Sequence, residues 1–290
     1  MSSAPDATRF RAALVQMCSG RDVAKNVKDA VALIREAASQ GADYIQTPEM
    51  TTLMEADREQ LRAVVQPESR NDALAAFTAT ARDHKVWLHI GSMAVARDDG
   101  KIANRSYLIA PDGKIAARYD KIHMFDVDLG QGDPYRESES YAAGSNAVIA
   151  ELPWGGLGLT ICYDVRFPAL HRALAKGGAK FIASPAAFTR ITGEAHWHTL
   201  LCARAIETQS FVFAAAQGGR HENGRETFGH SLMISPWGQI LAEAGTDPGV
   251  IAAEIDLSVL DDVRRRLPSL MHDRAFELIY AAQDKSKDRA

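Results

Sequence analysis

The sequence predicts an α/β fold in which two sheets pack together and helices cover their outer sides. Three observations lead there. Short apolar runs of strand length alternate with segments of helical spacing from Phe10 to Ile255. Several strand signals come in pairs around tight turns, as at Pro111-Asp112-Gly113 and Pro236-Trp237-Gly238, which points to mixed pairing rather than a purely parallel sheet. Hydrophobic residues at 46% and charged residues at 24% supply a sizeable core without disulfides or metals. The 290 residues show no repeat and no linker, so one domain is expected over 1–290.

The elements follow in order. Phe10 to Met17 reads as a buried strand, and Asn26 to Ala38 as a helix closed by Gly41. Ala42 to Gln46 is a second strand, and Thr47-Pro48-Glu49 places a carboxylate just past its end, where open α/β sheets keep their chemistry. A helical stretch from Asp57 to His84, broken near Pro67, leads to strand Val86 to Val95. Strands Ile102 to Ala110 and Lys114 to Tyr119 form a hairpin. The polar segment from His123 to Gly144 is too long for an ordinary connection and reads as a functional loop. Strands Val148 to Leu152 and Leu157 to Ile161 follow, then Cys162, a helix from Pro168 to Lys176 and strand Lys180 to Ser184. The last part holds helix Glu194 to Gln209 and strands Phe211 to Gln217, Gly229 to Ser235, Ile240 to Ala244 and Val250 to Ile255.

Composition excludes several classes. The net charge is -4 and the basic residues are scattered, so neither nucleic acid nor an anionic membrane is an expected partner. The densest basic run, Arg264 to Arg266, falls at the end of an expected helix, where cations suit the dipole. Met1 to Thr8 lacks the basic and apolar regions of a secretory signal, and no apolar stretch spans a bilayer. Cys18, Cys162 and Cys202 are widely separated and outside any paired spacing, which suits a cytoplasmic protein without a disulfide framework or zinc ribbon.

Cys162 is the residue whose setting suggests chemistry. A buried cysteine usually packs as a small hydrophobe, the expected role of Cys18 and Cys202. Cys162 instead ends an apolar strand abruptly and precedes a helix start, where backbone N–H groups and the dipole favour thiolate. Asp164 and Arg166 beside it form an ion-pair candidate. His196 and His198 are two apart and point to different helix faces, so no metal is expected. Gly155-Gly156-Leu157-Gly158 precedes a strand rather than linking strand to helix, which argues against nucleotide binding.

Three separated motifs carry a resemblance. Thr47-Pro48-Glu49-Met50, Tyr119-Asp120-Lys121-Ile122-His123-Met124-Phe125-Asp126 and Gly158 to Pro168 around Cys162 resemble the three catalytic signatures of the nitrilase superfamily, in that family's order. The resemblance runs from about Phe10 to Arg274, leaving 1–8 and 281–290 as expected flexible tails. It implies a four-layer α-β-β-α sandwich, a Glu49-Lys121-Cys162 catalytic set, no cofactor, and a homodimer or larger homo-oligomer. Glu49 is then the general base, and Lys121 with the backbone N–H of Tyr163 forms the oxyanion hole. Glu137 matches a second glutamate that orients Lys121 and the substrate amide. Read alone, Glu49 suits a helix cap, Lys121 a solvated hairpin and Glu137 a surface loop.

In the second half, the stretches 192–197, 203–207, 214–221 and 228–231, followed by Pro236-Trp237-Gly238, resemble the amidase branch containing deaminated-glutathione amidase and ω-amidase, and Gln217, Arg220-His221 and Leu267-Pro268 before His272-Asp273-Arg274 resemble the former more closely. The implied substrate is a small amide, N-(4-oxoglutaryl)-cysteinylglycine, split to 2-oxoglutarate and cysteinylglycine. Phe188 and Thr189 are expected to line its pocket, with Arg166 a lesser candidate for its carboxylate, and the helix start at Thr192-Gly193 to offer free N–H groups to it. ω-Amidase activity, N-carbamoyl amide hydrolysis and a catalytically silent scaffold of the same fold stay open.

Overall fold

A computed structural model describes residues 8–130 and 134–280. In chain order the strands are β1 (Arg9–Gln16), β2 (Tyr44–Gln46), β3 (Trp87–Ala96), β4 (Ile102–Ile109), β5 (Ile115–Asp120), β6 (Asp126–Val127), β7 (Tyr135–Arg136), β8 (Tyr141–Ala142), β9 (Val148–Leu152), β10 (Gly155–Leu159), β11 (Ala179–Ala183), β12 (Phe211–Ala214), β13 (Gly218–Arg220), β14 (Glu226–Phe228), β15 (Leu232–Ile234), β16 (Ile240–Glu243) and β17 (Gly249–Asp256). The α-helices are α1 (Val23–Ser39), α2 (Arg58–Val64), α3 (Asp72–His84), α4 (Pro168–Lys176), α5 (Arg190–Thr208) and α6 (Leu257–Arg266).

Two large sheets form. One runs β17-β1-β2-β3-β4-β5 with β8 added beside β4, and the other runs β16-β15-β12-β11-β10-β9. Period-2 alternation separates the faces of β1: Leu14 joins Tyr44, Leu157, Phe181 and Phe213 between the sheets, while Ala13 and Val15 face Ile34 of α1 and Phe77 of α3. Leu174 of α4 and Trp197 and Leu201 of α5 pack on the second sheet. The layers are therefore α-β-β-α, the expected sandwich. Among the described residues no helix is long and apolar enough to cross a membrane.

Several boundaries differ from expectation. α5 starts at Arg190, because the Thr189 side chain caps it by accepting from Thr192 N–H. The strands expected over Phe211 to Gln217 and Gly229 to Ser235 shorten to β12 and β15, and the residues between them form the unforeseen hairpin β13–β14. The 123–144 loop carries the β6–β7 ladder and β8. The tails expected at 1–8 and 281–290 lie outside the described residues except for Thr8, whose carbonyl accepts from Leu257 N–H at 2.9 Å.

Candidate active site

Four buried or half-buried polar side chains converge where both sheets end. Glu49 follows β2 on a loop stitched to β3: Thr47 N–H donates to the His89 carbonyl, Ser92 N–H to the Pro48 carbonyl, and Met50 N–H to Ser92 Oγ at 3.0 Å. Lys121 follows β5, held by its own N–H to the Asn104 carbonyl and by Gly144 N–H to its carbonyl. Cys162 opens a 3₁₀ turn over Cys162–Arg166, directly after β10 and Thr160-Ile161. Its backbone φ is +47°, a left-handed conformation rare for a residue with a β-carbon.

Lys121 Nζ donates to Glu49 Oε1 at 2.9 Å and to both oxygens of Glu137 at 2.8 and 3.0 Å. Glu49 Oε2 accepts from Ala187 N–H at 2.8 Å, and the Glu49 carboxylate also hydrogen-bonds the Cys162 thiol. Asn104 of β4 ties the carboxylates together, its Nδ2 donating to Glu49 Oε1 at 3.0 Å and Glu137 Oε1 at 3.2 Å. Glu137 Oε2 takes Phe125 N–H at 2.7 Å, which fixes the polar loop over the site.

Burial and charge set the resting protonation states. Burial opposes ionisation of Glu49, but the Lys121 ammonium and the thiol hydrogen bond outweigh it, so the carboxyl titrates below its ordinary range. Burial likewise opposes the charge on Lys121, and Glu137 and Glu49 reverse this, raising the ammonium well above its usual value. Burial and the Glu49 carboxylate push the Cys162 thiol well above its usual value. The thiolate bias expected from the helix start is thus overturned: in this site the sulfur rests as a thiol beside a charged base.

A cleft of about 640 Å³ opens over Cys162, Glu49 and Lys121, with Tyr135, Phe188 and Thr189 among its walls. Tyr163 borders it too, and its backbone N–H belongs to the first turn of the 3₁₀ segment, whose leading donors find no acceptor within the turn. The expected helix-start donors are absent: Thr192 N–H goes to Thr189 Oγ1 and Gly193 N–H to the Thr189 carbonyl. Arg166 is not among the cleft-lining residues and does not pair with Asp164. Its guanidinium packs over Phe188 at 5.2 Å and contacts His196 Nδ1, while Asp164 is engaged by Tyr119, His123 and the Ile161 N–H. His198 pairs instead with Glu243 at 2.8 Å, so the two histidines serve separate contacts.

Gln217 and His221 act as scaffold. Gln217 Nε2 donates to the Glu49 carbonyl at 3.0 Å and the Met50 carbonyl at 3.2 Å; the His221 ring bonds the Ser19 carbonyl and Thr227 Oγ1. They brace the Glu49 loop and the β13–β14 hairpin, which carries Arg225 into the cleft wall. Asn104 and Arg225 escaped sequence reasoning. Asn104 stands beside Arg105 and Ser106 in Ile102–Ile109, so no apolar background marks its amide; Arg225 sits in a turn with no periodicity to orient it.

Comparison with known proteins agrees with this geometry. The carbon-nitrogen hydrolase family model matches residues 11–265. A Synechocystis protein named deaminated glutathione amidase is 42% identical over 268 residues, covering 91% of this chain and 97% of its own. Saccharomyces cerevisiae Nit3, a member of branch 10 of the nitrilase superfamily, superposes with a TM-score of 0.82 at 28% identity, over 92% of this chain and 97% of that one. A variant of the amidase from Nesterenkonia sp. AN1, with the acetamide moiety of fluoroacetamide covalently added at its active-site cysteine, matches with a TM-score of 0.76 at 25% identity, over 92% and 98% of the two chains. On its fold, its site and a family match that spans both sheets, the chain belongs to the carbon–nitrogen hydrolase family and acts on amide C–N bonds.

Proposed function

We propose that this chain hydrolyses deaminated glutathione through a thioester on Cys162. The observation that carries the mechanism is the contact of a buried thiol with a charged Glu49 that is itself held by Lys121 at 2.9 Å. Glu49 takes the thiol proton as sulfur attacks the amide carbonyl. The oxyanion forms near the Lys121 ammonium and the Tyr163 N–H. Collapse breaks the C–N bond, and Glu49 returns its proton to the departing amine. Water then attacks the thioester, giving a proton to Glu49; the second tetrahedral intermediate expels the sulfur, which regains that proton. Lys121 already donates to Glu49 and Glu137, so it acts chiefly as a fixed charge.

The substrate reading is supported by the 42% identical Synechocystis relative, named deaminated glutathione amidase, and the covalent step by the adduct on the Nesterenkonia cysteine. A homo-oligomer in the cytoplasm is the setting we infer from the family resemblance. The test is rapid acid quench followed by intact mass spectrometry and peptide mapping, with deaminated glutathione and 2-oxoglutaramate run side by side. An acyl adduct on Cys162, a higher kcat/KM for deaminated glutathione and loss of turnover in Cys162→Ala are expected. An adduct on Cys18 or Cys202 sinks the mechanism, and the reverse substrate order moves the enzyme to ω-amidase.

A further inference from the structure

The charges lining the cleft are almost all answered within the protein. Glu49 and Glu137 hold Lys121, Arg58 pairs with Glu139, and Glu55 pairs with Arg21. Arg225 differs. It leaves the Asn223-Gly224 turn of the β13–β14 hairpin, where its N–H donates to Asn223 Oδ1 at 3.0 Å and Asn223 Nδ2 donates to the Met54 carbonyl at 3.2 Å. Its guanidinium lies 5.6 Å from the Tyr135 ring centroid, and Nη2 donates to the Ala187 carbonyl at 2.5 Å. Its Nε is buried without a hydrogen-bond partner, and among the described residues no carboxylate forms an ion pair with it.

A half-buried guanidinium that stacks on an aromatic ring yet keeps an unanswered donor is poised for an anion from outside the chain. Its planar fork matches a carboxylate. The site is also tied to the chemistry: the Ala187 residue that accepts from Arg225 gives its own N–H to Glu49 Oε2 at 2.8 Å. An anion on Arg225 would therefore be seated one residue from the base, in the same cleft as Cys162.

We propose that Arg225 is a specificity-determining residue that binds a carboxylate of the substrate and makes the enzyme select acidic amides. The proposal rests on the deaminated-glutathione reading, which offers a carboxylate on the oxo-acyl side and another on the leaving cysteinylglycine. Two analogues separate these sources: 4-oxopentanoyl-cysteinylglycine lacks the first but keeps the ketone, and 4-oxoglutaryl-cysteinylglycinamide lacks the second but keeps the peptide.

The experiment compares kcat/KM for deaminated glutathione and both analogues in the wild type, Arg225→Met and Arg225→Lys. In the wild type, the analogue lacking the bound carboxylate should fall behind by at least about thirtyfold, the worth of a charge-assisted hydrogen bond. Arg225→Met should collapse that preference to within about threefold, mainly through KM, and Arg225→Lys, which keeps charge without the fork, should keep part of it. The analogue whose handicap disappears identifies the carboxylate. Equal losses on all three substrates, or an unchanged preference in both variants, overturn the proposal. Should Arg225→Met fail to fold, the lysine variant alone decides by the same ratio. No wild-type turnover of deaminated glutathione refutes the substrate reading and the proposal with it; turnover with uniform variant losses refutes the proposal alone.

Discussion

The Asp164 carboxylate meets the His123 ring nitrogen at 2.6 Å, joining a residue two beyond Cys162 to one two beyond Lys121. The same carboxylate accepts from Tyr119 Oη at 2.7 Å, Ile161 N–H at 2.9 Å and His123 N–H at 3.0 Å. It thus fixes the chain on either side of the lysine and just before the cysteine. Asp164→Asn presents an NH₂ group to donors and loses part of this grip. We expect kcat to drop about tenfold to a hundredfold with little change in KM, because small misplacements of reacting groups are expensive. Kinetics normalised to folded enzyme check this; a drop only in folded fraction would make Asp164 merely structural.

The charge states predict the pH profile. Glu49 is depressed below its ordinary 4.5, so its contribution to stability is present above that value and is lost as pH falls through the folded value. Lys121 is raised above 10.5, so its contribution is present below that value and is lost as pH rises through the folded value. The acid limb of kcat/KM should therefore lie below pH 4.5, where Glu49 becomes protonated and no longer accepts the thiol proton. Thiolate absorbance from Cys162 in the free enzyme at pH 8 would contradict the resting state described above.

Asn104 tests the bridge between the two carboxylates. Asn104→Leu keeps bulk but removes donors from Glu49 and Glu137 together. A carboxylate that loses a hydrogen bond ionises less readily, so the acid limb should move up and kcat should fall about tenfold or more. An unmoved limb in a stopped-flow pH series would show that Lys121 alone sets the state of Glu49.

Gly91 tests the scaffold. A β-carbon at Gly91 would stand 2.1 Å from the Thr47 carbonyl oxygen and 2.6 Å from that of Pro48. Both are backbone atoms of the turn that carries Glu49, so relief must displace that turn. Gly91→Ala should lose roughly 1–3 kcal/mol of stability and much of the activity. Denaturant unfolding and kcat/KM, measured together, check it; an unchanged Glu49-dependent acid limb at full activity would contradict it.

What the sequence revealed depended on which signals act locally. The period-2 and helical patterns located β1, β3 and α1 because each buries a defined face. Glu49, Lys121 and Cys162 were legible as three strand-end residues in a familiar order, and the structure brings their side chains together. The protonation of Cys162 was not legible, since it depends on Glu49 across more than a hundred residues of chain. Arg166 pointed the other way: its nearness in sequence to Cys162 suggested a substrate contact, but the 3₁₀ turn directs it toward Phe188 and His196. The short β13–β14 hairpin has three-residue strands, too few for alternation to register, and so Arg225 was hidden.

The left-handed backbone at Cys162 sets activity and durability against each other at one residue. Holding a β-carbon there costs about 1–2 kcal/mol, which glycine would not incur. Cys162→Gly and Cys162→Ala both lose the sulfur, so their comparison isolates the backbone: the glycine chain should melt at the higher temperature despite its greater freedom when unfolded. An alanine chain that melts higher would show that the surrounding sheet ends absorb the strain without penalty. If glycine wins, a chain selected for persistence alone would drift toward an inert residue at this position, and only the demand for turnover keeps the cysteine in place.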